Sequence, residues 1–205
     1  MFAFIDLTLW QVLTRLMAFI ILVSVHGFTV AALIKWTGDP TPVYAGRRTF
    51  EPFRNMSLIG VVGAVLFKLG WILPLPFDAA HARARRGKIA IVVLGSLAVM
   101  LALVPLISLM RPHVVTIFPL LTAQMLLGVL DTTQDFAIWF AAFNILPIPP
   151  LTGFLLLAAF APKAASAINQ KPKIAELIVL ILVWTGVARM VVGPLNAWLR
   201  TFITY

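Results

Sequence analysis

The twenty residues from Leu16 to Lys35 carry no charge before the last of them. A helix rises 1.5 Å per residue, so about 20 apolar residues match the hydrocarbon thickness of a bilayer. In lipid every backbone polar group must find a partner within the protein, which leaves helices or a closed barrel. Further apolar runs follow, and the expectation is an all-α polytopic transmembrane helix bundle. Residues 1–205 form a single transmembrane domain with no fixed-period repeat. Hydrophobic residues make up 61% of the chain and charged residues 11%, against roughly 45–50% and 25% in soluble domains. A soluble globule of this size leaves too much of its area wet to hide that surface, and a disordered chain needs the opposite composition.

Six membrane segments are expected, at about residues 16–36, 57–77, 89–110, 114–130, 136–160 and 174–194. Four are clear spans and two are irregular. Arg15 and the pair Lys35–Trp36 bracket the first as interfacial anchors, and residues 4–14 form an interfacial lead-in. The segment 57–77 is interrupted by Gly60, Gly63, Lys68, Gly70, Pro74 and Pro76, and both its flanks are basic. A full crossing would put one basic loop on the wrong side, which favours a segment that dips in and returns. The stretch 114–130 is short, holds Pro119 and stops at the polar run Asp131–Asp135; it is a full or a partial span. The start Met1-Phe2-Ala3 lacks the basic region of a cleavable signal peptide.

Sixteen Lys and Arg against seven Asp and Glu give a net charge of +9. The basic residues gather in loops 35–54, 81–88 and 163–173, which the positive-inside rule places in the cytoplasm. That pattern indicates lipid contact and excludes nucleic acid as the reason for the charge. With no cysteine there is no disulfide, iron–sulfur or thiolate metal site.

Polar groups at membrane depth are costly and therefore candidate sites. They are His26, Lys68, Asn144, Thr152 and Arg189. A lone His26 reads as a neutral imidazole bonded to a neighbouring helix, and Lys68 as a side chain that snorkels to the interface. Pro147, Pro149 and Pro150 cannot all sit in a regular helix, so the segment from Phe143 to Gly153 is a helix broken at depth. Such a break marks either a binding site or a packing kink.

The run Asn144-Ile-Leu-Pro147-Ile-Pro149-Pro150-Leu-Thr152-Gly153 resembles the NxxPxPPLDG motif of the site-2 protease family, the intramembrane zinc metalloproteases. His26-Gly27-Phe28-Thr29-Val30 stands where that family carries HExxH. The order continues with Gly38-Asp39, with Gly46-Arg47-Arg48-Thr49-Phe50-Glu51-Pro52 for a GRLTLNP-like surface segment, and with Gly70-Trp71-Ile72-Leu73-Pro74-Leu75-Pro76 for GWxxPxP. The resemblance runs from about residue 20 to 160. It implies the family's helical fold, with a short surface strand at Arg48, Thr49, Phe50 and Glu51. It also implies that Asn144 stands where the family's Asn assists the substrate or the transition state; here it is expected to bond His26, Thr152 or a freed carbonyl.

The family's chemistry needs two His one turn apart, a Glu general base beside the first and a third ligand from the LDG motif. Those positions hold His26, Val30, Gly27 and Thr152. The family's AGPxxN stretch is eroded to Leu94-Gly95-Ser96-Leu97-Ala98-Val99, and His81 and His113 are expected in loops. The expectation is a catalytically inactive homologue of the bacterial inner membrane with no metal and no cofactor, retaining its scaffold. Its role would be that of an accessory, scaffold or assembly subunit, partnered by membrane lipids and by another integral membrane protein. Asn144, Pro147, Pro149, Pro150, Gly153 and the Arg48–Glu51 strand are the structural or partner-binding candidates. The alternatives are an active intramembrane protease with atypical ligands and, third, a small transporter or channel.

Overall fold

A computed structural model describes residues 7–169 and 172–203, the side chains of residues 83 and 169 excepted. The readings at Met1–Ala3, at residues 4–6 and at Lys171 lie outside the described residues. Helix α1 runs from Leu9 to Thr37 without a break. Thr8 and Gln11 cap its start reciprocally, each side chain meeting the other's backbone N–H. Gly38, at φ +105°, ends it with N–H bonds back to Ile34 and Lys35. Arg15 therefore lies inside this helix rather than at its end. The short helices α2 (Thr41–Tyr44) and α3 (Pro52–Asn55) follow.

Helix α4 (Leu58–Phe67) has ten residues, about 15 Å, half of what a crossing needs. The chain turns at Lys68, whose φ is +59°, and returns in extended form. Ile72 pairs antiparallel with Met56, and the Leu73 N–H donates to Asn55 O at 2.7 Å. The Asp78 N–H then donates to Asp39 Oδ2 at 2.8 Å. Both ends of the hairpin thus sit towards the same end of α1.

Helices α5 (Ala79–Ala84) and α6 (Arg86–Ile117) place His81 and His113 in helices, not loops. Helix α6 continues through Pro105 and Pro112, past the end expected at Met110. Helix α7 (Leu120–Asn144) is also continuous, so Asp131–Asp135 is not the break its polarity implied. Each residue of that run has a partner inside the protein. Thr132 and Thr133 bond back to Gly128 O and Val129 O, and the Gln134 amide donates to Val104 O and Ser108 Oγ, both at 2.8 Å. Asp131 pairs with Arg111, and Asp135 with Lys68 and Arg200. A polar run satisfied in this way does not end a helix. Helices α1, α6 and α7 pack around Phe19, Leu22, Met100, Phe136 and Phe140.

The chain leaves helix at Ile145 and resumes it in α8 (Phe154–Phe160) and α9 (Pro162–Asn169). The final segment is two helices, α10 (Pro172–Trp184) and α11 (Val187–Phe202), bent by 72°. Gly186, at φ +79°, makes the corner, so 174–194 is not one straight span.

Among the described residues, α1 and α6 are long and apolar enough to cross a membrane, and α10 with α11 makes a third if the bent pair is one span. By length and composition alone these are two or three candidate spans, beside the four to six segments expected. The surface strand is corrected as well. Arg48, Thr49 and Phe50 form a bend, and Glu51 is the residue before α3, with Pro52 opening that helix. Pro52 fixes its own φ near the helical value, which turns the chain there. Glu51 pairs with the exposed Arg54 at 2.7 Å, and Phe50 stacks on Phe28 with ring centres 4.1 Å apart.

Asp39 ties α1 to the hairpin's return. Burial would raise its carboxyl, but the hydroxyl and N–H of Thr41, the N–H of Asp78 and the nearby His81 outweigh that and hold it below the usual carboxylate range. A depressed carboxylate contributes stability that is complete above its unfolded value, about pH 4 for Asp, and is lost as pH falls through the lower folded value. The wild-type chain is expected to exceed Asp39→Asn in thermal stability at pH 7, with the gap closing below about pH 4. A gap that stays constant with pH would contradict this.

Candidate functional site

His26 and Thr152 are 126 residues apart in the chain, yet His26 Nε2 lies 2.8 Å from Thr152 Oγ1. His26 is fully buried, and its ring meets Phe140 edge-on with centres 5.0 Å apart. Val30, one turn further along α1, is also fully buried and packs in the apolar core. The segment that brings Thr152 here is irregular. The Leu146 N–H bonds to Phe143 O, Ile148 to Leu146 O and Leu151 to Ile148 O, with a cis bond between Pro149 and Pro150. Pro147 lies within the same stretch of tight turns. The Gly153 N–H closes the loop by donating to Asn144 O at 2.7 Å. A side chain at 153 would begin 2.1 Å from Ile145 O, so only glycine lets the loop fold onto the end of α7.

Asn144 bonds neither His26 nor Thr152. Its Nδ2 donates to Gly70 O and Phe140 O, both at 3.0 Å. The Gly70 carbonyl belongs to the extended return of the hairpin and has no helix to serve it, so Asn144 joins the broken helix to that return. Among the described residues, the buried Asn144 Oδ1 has no hydrogen-bond partner.

Gly27 is the close contact of the site. A Cβ there would stand 2.5 Å from Cγ, 2.6 Å from Nδ2 and 2.7 Å from Cβ of Asn55. Asn55 is fully buried, and its side chain accepts from Arg47 Nε at 2.9 Å while donating to Thr49 O at 3.0 Å. Arg47 also donates to Leu73 O at 2.7 Å and Pro74 O at 3.4 Å. Burial pulls the Arg47 guanidinium below its ordinary value. The loop that carries Arg48, Thr49, Phe50 and Glu51 is thereby seated with its Asn55 amide where the side chain of residue 27 would project.

Neither Asn55 nor Arg47 stood out as a site residue in the sequence. The available signal was the missing side chain at position 27, which leaves room that a neighbour fills. Lys68 has a partner the sequence did not suggest, its Nζ pairing with Asp135 Oδ2 at 2.6 Å. Arg189 donates to Phe67 O at 3.2 Å and lies 4.7 Å over the Trp139 ring.

The donors around His26 are one imidazole and one hydroxyl. Among the described residues no three His, Asp or Glu side chains gather into a group able to hold a metal ion. A catalytic zinc takes three protein ligands of the His, Asp, Glu or Cys type, and the residues present do not fit it. The position of a general base beside His26 is glycine, with Asn55 filling the space.

No family model and no solved structure matches the chain. Among curated proteins it is 24% identical over 200 residues to the Bacillus subtilis (strain 168) protein named "Putative zinc metalloprotease YwhC", covering 92% of this chain and 86% of that one. Over nearly its whole length the chain is thus distantly similar to a protein named as a putative zinc metalloprotease.

Proposed function

We propose that this chain is a catalytically inactive site-2 protease homologue of the bacterial inner membrane, one that binds no zinc and serves as an accessory, scaffold or assembly subunit of an integral membrane protein complex. The observation that carries the reading is the contact between His26 and Thr152. Two positions that resemble metal-ligand positions meet, and they meet through an imidazole and a hydroxyl that satisfy each other. The seating of Asn55 against Gly27 supports it from the other side, by filling the space of the missing base. In this reading the hairpin 57–77 dips into the bilayer and returns, and the broken helix at Pro147, Pro149 and Pro150 is retained for packing rather than for chemistry.

The test is metal content and company. The full chain, extracted from native membranes in mild detergent, is expected to hold far less than one zinc per chain by elemental mass spectrometry, with no change in His26→Ala. It is also expected to leave the membrane with another integral membrane protein at fixed stoichiometry. Stoichiometric zinc that disappears in His26→Ala, together with cleavage of a membrane-embedded peptide, would establish an active protease instead. A chain that always runs alone would overturn the subunit role.

A further inference from the structure

The broken helix and the bent helix pair leave a pocket between them. Pro147, Pro149 and Pro150 deny regular helix to the segment before α8, and Gly186 makes the 72° corner between α10 and α11. Helices interlock by fitting parallel ridges into grooves, and neither of these stretches presents such ridges to the other. Their side chains therefore meet around a gap. Phe143, Leu146, Ile148 and Leu151 line one wall, and α10 and α11 line the other, from Val179 to Val191. About 410 Å³ of open space lies between them, within the roughly 300–1,000 Å³ of a small-molecule site.

The pocket lies at hydrocarbon depth. Arg15 is twenty residues from Lys35 along α1, about 30 Å, the thickness of the hydrocarbon layer. Arg15 Nη1 donates to Val65 O at 2.7 Å and Leu66 O at 3.1 Å. The next residue, Phe67, meets the Trp184 ring with centres 6.5 Å apart, and its carbonyl accepts from Arg189 Nη2 at 3.2 Å. The corner of α10 and α11 thus stands level with Arg15, at one edge of the layer. Helix α10 lies alongside α4, since Ser57 Oγ donates to Glu176 Oε1 at 2.6 Å at their other ends. Val179 is therefore inside the layer, and the pocket runs inward from the corner.

Its wall and its rim differ in chemistry. Among the described residues every lining side chain is apolar. A bound water needs about two to four polar partners, so such a wall takes hydrocarbon and not water or an ion. The mouth is open at the corner, where Val187 and Val191 are exposed, while Phe143, Leu151 and Val179 are buried at the back. Arg189 follows Ala188 in α11, and Trp139 precedes Phe143 by one turn of α7. The exposed Arg189 guanidinium lies 4.7 Å over the Trp139 ring. These two side chains form the rim. A guanidinium carries five N–H donors in a fixed fork that fits phosphate oxygens, and among the described residues Arg189 spends one of its nitrogens on Phe67 O.

We infer that this pocket binds one acyl chain of a membrane phospholipid, the chain against Leu151 and Val179 and the phosphate at Arg189. The occupant must be apolar along its length and anionic at the end that meets the rim, and a phospholipid in the surrounding leaflet is both. A zwitterionic headgroup suffices, because the phosphate is what the guanidinium meets. A transmembrane helix of a partner protein, about 10–12 Å wide with its side chains, is too thick for a space of about 410 Å³, whereas a single hydrocarbon chain is not. The site does not depend on the question of catalysis, so it stands or falls separately from the proposed function.

The experiment places the full chain in phosphatidylcholine vesicles in which a small fraction of the lipid carries a photoreactive diazirine at the end of one acyl chain. The label is mapped by peptide mass spectrometry. The wild-type chain is expected to take label at Phe143, Leu151 and Val179, which are buried from bulk lipid, besides the exposed Ile178 and Ile181. Val187→Trp, a change at the exposed mouth, is expected to lose the label at the three buried positions and keep it at Ile178 and Ile181. Ala188→Phe, which fills the pocket from within, is expected to do the same. Arg189→Gln is expected to weaken the buried label about fivefold, and Arg189→Lys to restore most of it. Label confined to exposed residues in the wild type, or undiminished buried label in Val187→Trp, would overturn the pocket. Equal buried label in the wild type and Arg189→Gln would overturn the phosphate contact. A parallel arm puts the same diazirine on a free fatty acid in unlabelled phosphatidylcholine. Buried label from the fatty acid but not from the phospholipid would assign the pocket to free fatty acid and overturn the phospholipid.

Discussion

Alanine at position 27 is expected to destabilise the chain by about 3 kcal/mol, although alanine forms helix better than glycine by about 1 kcal/mol. Gly27 is inside α1 and its propensity gain is real, but the new methyl would stand 2.5–2.7 Å from three atoms of Asn55. Asn55 cannot swing aside freely. Arg47 Nε donates to it and it donates to Thr49 O, all in a buried place. Moving it leaves a buried guanidinium N–H without its acceptor, which costs about 1–3 kcal/mol beyond the overpacking itself.

The second substitution makes the cause identifiable. Asn55→Ala leaves a Cβ 2.7 Å from the new methyl and relieves little, whereas Asn55→Gly removes all three contacts. In a double-mutant cycle read by thermal unfolding in mild detergent, Gly27→Ala and Asn55→Gly are expected to couple favourably by about 2 kcal/mol. Hydrogen exchange across residues 47–56 should rise in Gly27→Ala, in Asn55→Gly and in the pair, since each disturbs the bonds from Asn55 to Arg47 and Thr49. If Gly27→Ala stabilises the chain, or if the two changes add, the loop is not held by this contact.

The contrast between α1 and α7 marks what the sequence could reveal. The core of α1 was legible because the stretch from Leu16 to Ile34 carries no Lys, Arg, Asp or Glu and is long enough on its own to match a bilayer. The broken helix was legible for the same reason, since Pro147, Pro149 and Pro150 each forbid regular helix by their own geometry. Helix α7 was not. Residues 131–135 read as an interruption of the apolar run; Thr132 and Thr133 are served one turn back, but the partners of Asp131, Gln134 and Asp135 are Arg111, Val104, Ser108, Lys68 and Arg200 elsewhere in the chain. The strand expected at Arg48–Glu51 failed in a related way. Resemblance carried the pattern, but Pro52 opens a helix immediately after it, and the extended pairing falls on Met56 and Ile72 instead. At the site, the positions of His26 and Thr152 followed from motif order. The occupant of the space beside Gly27 did not, because an absent side chain names no neighbour.

Gly153→Ala is expected to be worse than Gly27→Ala, about 4 kcal/mol or more, and to resist rescue. The new methyl would stand 2.1 Å from Ile145 O and 2.5 Å from both Ile145 C and Leu146 O. All three are backbone atoms, so no side chain can be trimmed to admit it. The same residue donates its N–H to Asn144 O, which holds the end of α7 against the loop, and Thr152 precedes it in that closed turn. Forcing the loop open therefore pulls Thr152 from His26, leaving the buried imidazole Nε2 without its partner, a further cost of about 1–3 kcal/mol. Ile145→Gly or Leu146→Gly removes only side chains and is expected to return nothing in combination. Should Gly153→Ala unfold at the wild-type temperature, or should either glycine partner restore it, the loop is not closed by backbone contact. If the variant does not fold, the same point is tested on unfolded-state grounds by Gly87→Ala, where no atom lies within 4 Å of the added methyl. That helix position is expected to gain stability of about 1 kcal/mol, which isolates the loss at Gly153 as steric.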